Sequence, residues 1–235
     1  MGLKDELITF TGKVFGSQWK ERDGNKVPED ADVGMGNDAV KLDATVLYAD
    51  LSDSTALVDK YKRPFAAEVY KTFLYCAARL IGSEGGVVTA YDGDRVMAVY
   101  FGTNCDPAAA RTALKIKWAT DEIVNAGIAK QYPSSTYRVK HVVGIDRSDV
   151  YVARTGVRGA NDLVWVGRAA NYAAKLAELP NDYQSYITED VYKQLSDETR
   201  FGTSNGRRTD MWTPLMWTEF NKSRIYGSTW RWAIS

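Results

Sequence analysis

Asp50 and Asp94 are the side chains from which chemistry in this chain has to start. Asp50 closes the short apolar run Ala44-Thr45-Val46-Leu47-Tyr48-Ala49, and Asp94 lies in an Asp92-Gly93-Asp94 turn between two further apolar runs, Val87 to Tyr91 and Val96 to Phe101. A hairpin across that turn, laid beside the first strand, would make the two carboxylates meet. Paired carboxylates at a strand end suit a site for two divalent metals and a triphosphate. The following turn, Leu51-Ser52-Asp53-Ser54-Thr55, supplies hydroxyls and backbone N–H groups at a helix start, a cradle for phosphate oxygens. Asp53 would repel phosphate unless it points away. A third element, the helix after Trp165-Val166-Gly167, carries Asn171 and Lys175 four residues apart and so on one face. An amide and a cation there could orient a ribose and neutralise a reacting phosphate. Plainer readings exist for each: Asp50 or Ser54 as an N-cap, Asp92 to Asp94 as an ordinary hairpin turn, Asn171 and Lys175 as a solvated helix face.

Composition narrows the chemistry further. The chain has 235 residues, 45% hydrophobic and 26% charged, with 30 Lys plus Arg against 30 Asp plus Glu. Zero net charge excludes a generic basic binder of nucleic acid or of an anionic membrane. The single histidine, His141, removes serine-hydrolase triads and multi-histidine zinc sites. Cys76 and Cys105 are too few for a disulfide framework and fit two small buried thiols in a reducing compartment. The N-terminus has no apolar signal core, and no run reaches the ~18 apolar residues of a membrane span. The expected location is the cytoplasm, without nucleic-acid or membrane partners.

The elements that must position these residues follow from periodicity. Residues 1–40 read as an N-terminal arm: an amphipathic stretch, Leu7 to Trp19, then a charged, Gly-rich run from Glu21 to Asn37. Gly34, Gly36 and Ala39 mimic a dinucleotide fingerprint, but Glu29, Asp30 and Asp32 stand where an apolar strand would be needed, so this is a loop. One α+β domain is expected over 41–235. Its first strand ends at Asp50; helical spacing runs from Leu57 to Leu80, with Pro64 starting a second segment or kinking it; Gly85-Gly86 stops it, and the hairpin follows. Asp106 caps and Pro107 opens the next helix, Tyr137 to Ile145 is a strand, and a turn leads to Val150 to Ala153. Strand, helix, hairpin, helix, strand is the split β-α-β layout of a ferredoxin-like core. A short strand near Leu163 to Val166, helices from Gly167 to Leu179 and after Thr188, and closing strands between Met211 and Ile234 extend it.

Tyr48 to Thr55, Gly85-Gly86, Gly93 to Ala98, Gly144-Ile145-Asp146, and Val166-Gly167 with Asn171 and Lys175 together resemble the catalytic domain of the class III nucleotidyl cyclases over about residues 41–235. The resemblance implies that fold and a homodimer with shared active sites. Asp50, Asp94 and the backbone carbonyl of Leu51 would hold two Mn²⁺ or Mg²⁺ ions, and Ser52, Asp53, Ser54 and Thr55 the triphosphate. The other subunit would bring Asn171 to the ribose and Lys175 to the transition state. Lys175 replaces the family's usual arginine, giving a point charge without the bidentate fork. Ala90 and Val164 occupy the purine-reading positions; neither can hydrogen-bond a purine, which disfavours ATP and GTP. Tyr48, and with it Trp165, would shrink the base pocket toward a pyrimidine.

With the terminal Tyr226-Gly227-Ser228-Thr229-Trp230-Arg231-Trp232, the chain resembles the bacterial uridylate cyclases of Pycsar anti-phage systems. That implies two-metal, in-line conversion of UTP to 3′,5′-cyclic UMP and diphosphate, the product being read by a separate cyclic-UMP effector. A cyclase using CTP or ATP, a nucleotide-binding regulator without turnover, and an RNA-binding module of the same layout are the alternatives. Lys222, Arg224, Arg207 and Arg208 are the candidates for the γ-phosphate.

Overall fold

The computed structural model describes residues 2–157, 159–220 and 222–234. In chain order the elements are α1 (Leu3–Gly16), β1 (Lys20–Asp23), β2 (Asp38–Leu51), α2 (Ser54–Lys60), α3 (Arg63–Ser83), β3 (Val87–Asp92), β4 (Arg95–Phe101) and α4 (Cys105–Ala119). A π turn (Thr120–Val124) joins α4 to α5 (Asn125–Gln131). Then come β5 (His141–Val157), β6 (Ala160–Gly167), α6 (Arg168–Ala177), β7 (Ser185–Thr188), α7 (Glu189–Lys193), α8 (Asp197–Arg200), β8 (Phe201–Ser204), β9 (Arg207–Asp210), β10 (Thr213–Trp217) and β11 (Ser223–Ser228).

The main sheet runs β10-β11-β7-β5-β2-β4-β3, with β1 added to β2 and β6 to β5. At its centre lie β5-β2-β4-β3, the strand order of the ferredoxin-like core expected from the sequence. Each βαβ half is split, because α3 leads from β2 to β3 with β4 between them, antiparallel to both. Alternation along β2 explains the two layers. Leu47, Ala49 and Leu51 face α3 and α4 in one core with Phe73, Ile81 and Leu114, whereas Val40, Leu42, Ala44 and Val46 face the opposite side with Ala169, Ala170 and Ala173 of α6. Each such fully buried Val, Leu or Phe contributes about 1.5–3 kcal/mol. Tyr48 and Asp50 belong to the second face, beyond the apolar row.

Several elements differ from the sequence expectation. The stretch Tyr137 to Ala153 is not two strands around a turn: pairing starts at His141 and continues unbroken through Arg147-Ser148-Asp149, which face Thr45, Ala44 and Asp43 of β2. Those polar residues read as a turn but are satisfied inside the ladder, Arg147 by Asp106 and Asp43 and Ser148 by the backbone N–H of Ala169. Asp106 is no cap either. Asn104, in the left-handed region at φ 62, precedes α4, and Asp106 is buried, accepting from Thr45 at 2.8 Å and Arg147 at 2.8 Å. Cys105 is buried, but Cys76 is half-buried in the helical layer. Pro64 does start a second helical segment, at the head of α3. In the N-terminal region β1 pairs in parallel with β2, and Val33 is buried against Val40 and Leu42.

Close packing fixes α6 on the sheet. A Cβ on Gly144 of β5 would lie 2.2 Å from the carbonyl oxygen of Ala173 and 2.5 Å from the nitrogen of Ala177. Gly144→Ala is therefore expected to push α6 off the sheet and destabilise the protein by about 1–3 kcal/mol. Urea unfolding measures this, and an unchanged midpoint would refute the contact.

Candidate active site

Asp50, the last residue but one of β2, lies directly opposite Arg95, the first residue of β4. The turn before Arg95 is Gly93-Asp94, with Gly93 in the left-handed region at φ 62, a conformation glycine adopts without Cβ strain. The hairpin therefore delivers Asp94 to the end of the strand that carries Asp50. Asp50 is largely buried, and its Oδ1 has no hydrogen-bond partner. Its other oxygen, Oδ2, lies 3.9 Å from the Arg95 Nε, and Arg95 also donates to Glu178 Oε1 at 3.2 Å. Burial first, and then the negative charge of Asp94, push the Asp50 carboxyl up to about 6, with Arg95 opposing and Glu178 adding to the rise. A buried carboxylate oxygen left unpartnered beside a second carboxylate is a donor set that fits a divalent cation. Among the described residues no three His, Cys, Asp or Glu side chains converge. An ion at Asp50 and Asp94 would therefore complete its oxygen shell from backbone carbonyl such as that of Leu51, water and ligand phosphate.

Beyond Leu51 the chain turns over the top of the sheet. The backbone N–H of Ser52 donates to the Lys140 carbonyl at 2.9 Å, and Asp53 adopts φ 60 before α2 begins at Ser54. Asp53 is the residue preceding α2, in place of Asp50 or Ser54, and its side chain makes no capping hydrogen bond. Beside this turn lies a cleft of about 480 Å³ whose lining includes Ser52, Asp53, Lys60, Arg138 and Lys140. Three cations against one carboxylate make it electropositive, which suits a polyphosphate tail. Lys140 stands two residues before Val142, the partner of Asp50 across β5 and β2, so strand alternation directs it to the Asp50 face.

The residues Asn171 and Lys175 occupy an exposed stripe of α6, continued by Glu178, while Ala169, Ala170, Ala173 and Leu176 are buried beneath. The start of α6 is tied down by Arg168. It pairs with the fully buried Asp146 through Nε at 3.0 Å and with Asp190 at 2.6 Å, and Thr188 donates to Asp146 at 2.6 Å. No hydrogen bond or ion pair joins Asn171 or Lys175 to Asp50 or Asp94 among the described residues. Lys175 instead places its ammonium 4.8 Å from the centroid of the Phe220 ring, which stacks on Trp217. Thus Asp50, Asp94 and the Ser52–Thr55 turn form one group, and Asn171 and Lys175 another.

The four cations considered for the γ-phosphate also separate. Arg208 lies in the small β8–β9 sheet, held by Asp197 at 2.7 Å, with Arg207 on the same strand. Arg224 shares a face of β11 with Tyr226, whose ring packs in the α3–α4 core, and so points away from α6. Lys222 is exposed in the turn before β11, in the left-handed region at φ 52. Arg95, Lys140 and Glu178 were not singled out from the sequence. Arg95 carried a signal in following Asp94 directly; Lys140 becomes visible only once the register of β5 is known.

Around the base position, Tyr48 donates its hydroxyl to Met97 Sδ at 3.1 Å, and Met97 pairs with Ala90. Tyr48, Ala90 and Trp165 pack against one apolar cluster. Val164 does not belong to that cluster and pairs with Ala153.

No protein-family model matches the chain. Over its full length it is 58% identical to a uridylate cyclase of Xanthomonas perforans across 235 residues, covering 100% of both chains. It is 45% identical to a uridylate cyclase of Burkholderia cepacia across 236 residues, again covering 100% of both. Among solved structures, a bacterial light-regulated adenylyl cyclase superposes with a TM-score of 0.67 at 20% identity, over 80% of this chain and 52% of that one. That last likeness is one of fold, the class III nucleotidyl cyclase fold.

The raised Asp50 carboxyl sets a pH dependence. The folded protein holds this proton up to about pH 6, whereas the unfolded chain releases it near the ordinary value of 3.8. Stability of the metal-free protein contributed by this group is thus greatest below pH 4 and falls as pH rises through the window to 6. Asp50→Asn is expected to stabilise the metal-free protein at pH 8 by about 1–2 kcal/mol and to bring no gain at pH 4. Added Mn²⁺ should raise the melting temperature of the unsubstituted protein and leave that of the variant unmoved. Denaturation at the two pH values checks both; a variant less stable at pH 8 would contradict the charge argument.

Proposed function

The chain belongs to the family of the uridylate cyclases and is a nucleotide cyclase; on that premise we propose that it closes UTP to 3′,5′-cyclic UMP with release of diphosphate. The observation that carries the mechanism is the buried, unpartnered Oδ1 of Asp50 beside Asp94. Divalent cations at these carboxylates, two Mn²⁺ or Mg²⁺ ions in our reading, would supply charge neutralisation at the phosphates and lower the pKa of the attacking hydroxyl.

The remaining work falls to the chain's own residues. The ribose 3′-oxygen forms a bond to the α-phosphorus as the bond to the diphosphate oxygen breaks, and its proton leaves to solvent. Ser52 to Thr55 hold the tail with hydroxyls and backbone N–H groups, and Lys140 with Arg138 receives its terminal charge in the adjoining cleft. Asn171 and Lys175 come from a second copy of the chain, because in their own chain they face solvent without a bond to the carboxylates. Asn171 orients the ribose. Lys175 places a point charge on the α-phosphate oxygens, where charge builds in the transition state.

Base choice rests on the pocket beside Tyr48. The methyl side chain of Ala90 offers a purine no hydrogen bond, and Tyr48 and Trp165 pack against the same apolar cluster. The choice of UTP over CTP is supported by the uridylate cyclases to which the chain is similar. The product would act as a signal for a separate cyclic-UMP effector in anti-phage defence, a role suggested by the resemblance to the Pycsar enzymes.

Incubation with Mn²⁺ and each of the four nucleoside triphosphates, with products identified by mass spectrometry, tests the substrate. Cyclic UMP is expected as the main product; a dominant cyclic AMP, or binding without turnover, would overturn the reading. A mixing experiment tests the shared site. Asp50→Ala and Lys175→Ala should each be nearly inactive alone, yet recover about a quarter of the normal activity when mixed, since half of the randomly paired dimers carry one intact site of two. Absence of recovery between folded, exchanging variants would place both groups in one chain's site.

A further inference from the structure

Helix α1 presents an apolar surface that its own chain leaves open except near Val14, which is half-buried beside Asn37. None of its residues is buried, and Leu3, Leu7 and Phe10 are 71%, 57% and 58% exposed. A 14-residue helix with Gly12 near its middle is marginal in water unless a face is covered. Its only ties to the body among the described residues are the bonds from Asn37 Nδ2 to the carbonyls of Val14 and Ser17, each 2.8 Å, at its C-terminal end.

The spacing of the apolar residues says what shape of cover fits. Leu3, Leu7, Phe10 and Val14 recur at intervals of four, three and four, the a/d pattern that places a single seam along a helix for knobs-into-holes packing against another helix. Ile8 and Phe15 stand roughly 120° round the helix from that seam. With Leu7 and Val14 at a and Leu3 and Phe10 at d, Glu6 and Lys13 both fall at the flanking g positions. In a parallel pair Glu6 would face the e position, which is Thr11, and gain no charge partner. In an antiparallel pair g faces g, so Glu6 of each copy meets Lys13 of the other, twice about the two-fold axis. The same alignment sets Leu7 against Phe10 and Leu3 against Val14, filling every layer with unlike, complementary sizes.

We propose that α1 pairs antiparallel with α1 of a second copy of this chain, through the Leu3–Leu7–Phe10–Val14 seam and reciprocal Glu6–Lys13 contacts. The occupant is a second copy because the seam and its charges are self-complementary under a two-fold operation, which is the condition for an isologous interface. The pairing does not depend on the nucleotide that the enzyme uses. It would hold two chains together in a protein whose site, as proposed above, draws on both.

The test is the dimer dissociation constant of the full chain without nucleotide, from sedimentation equilibrium over a dilution series at low salt. Leu7→Glu is expected to weaken the dimer at least tenfold, and Glu6→Lys about three- to tenfold by setting like charges against each other. The double variant Glu6→Lys with Lys13→Glu should return the constant to its normal value, and Phe15→Ser, off the seam, should leave it unchanged. Circular dichroism and turnover at protein concentrations well above the dissociation constant verify that each variant is folded. Failure of the double variant to recover would overturn the antiparallel arrangement, and an unchanged constant for Leu7→Glu would show that α1 does not bind a second copy. Neither result bears on substrate identity, because the measurement contains no nucleotide.

Discussion

One carboxylate oxygen, Oδ1 of Asp50, organises this structure: it is buried without a partner and a second carboxylate stands close by. Such an arrangement opposes folding, because the charge has left water and has not been met by a hydrogen bond or a cation of its own. It persists because β2 is paired with β5 along residues 39–51 and with β4 along residues 44–50, so that its last residues are not free to move. Arg95 lies across from Asp50 at 3.9 Å and is shared with Glu178, which leaves it too distant and too divided to neutralise the pair. The site is thus complementary to a positive charge from outside the chain. Zero net charge and a single histidine, uninformative by themselves, accord with chemistry that relies on bound cations and a few local amides and ammonium groups.

The other half of the machinery is positioned by different means. Helix α6 is clamped at its start by the buried Asp146–Arg168 pair and pressed onto the sheet at Gly144, where no side chain fits. The helix lies on the face that carries Asp50, with its alanine side inward and Asn171 and Lys175 outward. A helix that aims Asn171 and Lys175 at solvent, with no bond to the carboxylates, is the arrangement on which the proposal of a site shared between two copies rests. The division also separates the cations: Lys140 and Arg138 line the cleft beside the Ser52–Asp53 turn, and Lys175 sits against Phe220.

Much of this was legible in the chain because the informative signals are local. The apolar run ending at Asp50, the Asp-Gly-Asp turn and the alanine-backed helix each specify an element within a dozen residues, and the split β-α-β order follows from listing them. Register was not legible. The polar triplet Arg147-Ser148-Asp149 reads as a turn until its partners Asp43, Asp106 and the N-terminus of α6 are known, all of them distant in sequence. The same blindness assigned Asp106 to a helix cap and overlooked Lys140, whose place on the Asp50 face depends on where β5 begins to pair. Exposure was hidden as well: the apolar residues of α1 suggested an amphipathic stretch, and only the structure shows that none of them is buried by its own chain.

The proposed dependence on two chains has a consequence for how such an enzyme is controlled. When each site needs carboxylates from one copy and an amide and ammonium from another, activity falls with dissociation even if every residue keeps its place, so the association constant is itself a determinant of rate. A catalytic face built for substrate entry cannot be sealed by a dry, interlocking interface, because the cleft must admit a triphosphate and release diphosphate. Affinity between the copies is better supplied by a surface remote from the cleft. Helix α1 meets that requirement, since it joins the sheet through Asn37 at the start of β2, the end opposite to Asp50. An apolar seam there can add association energy without obstructing the nucleotide, and its ion pairs can set the relative orientation of the chains.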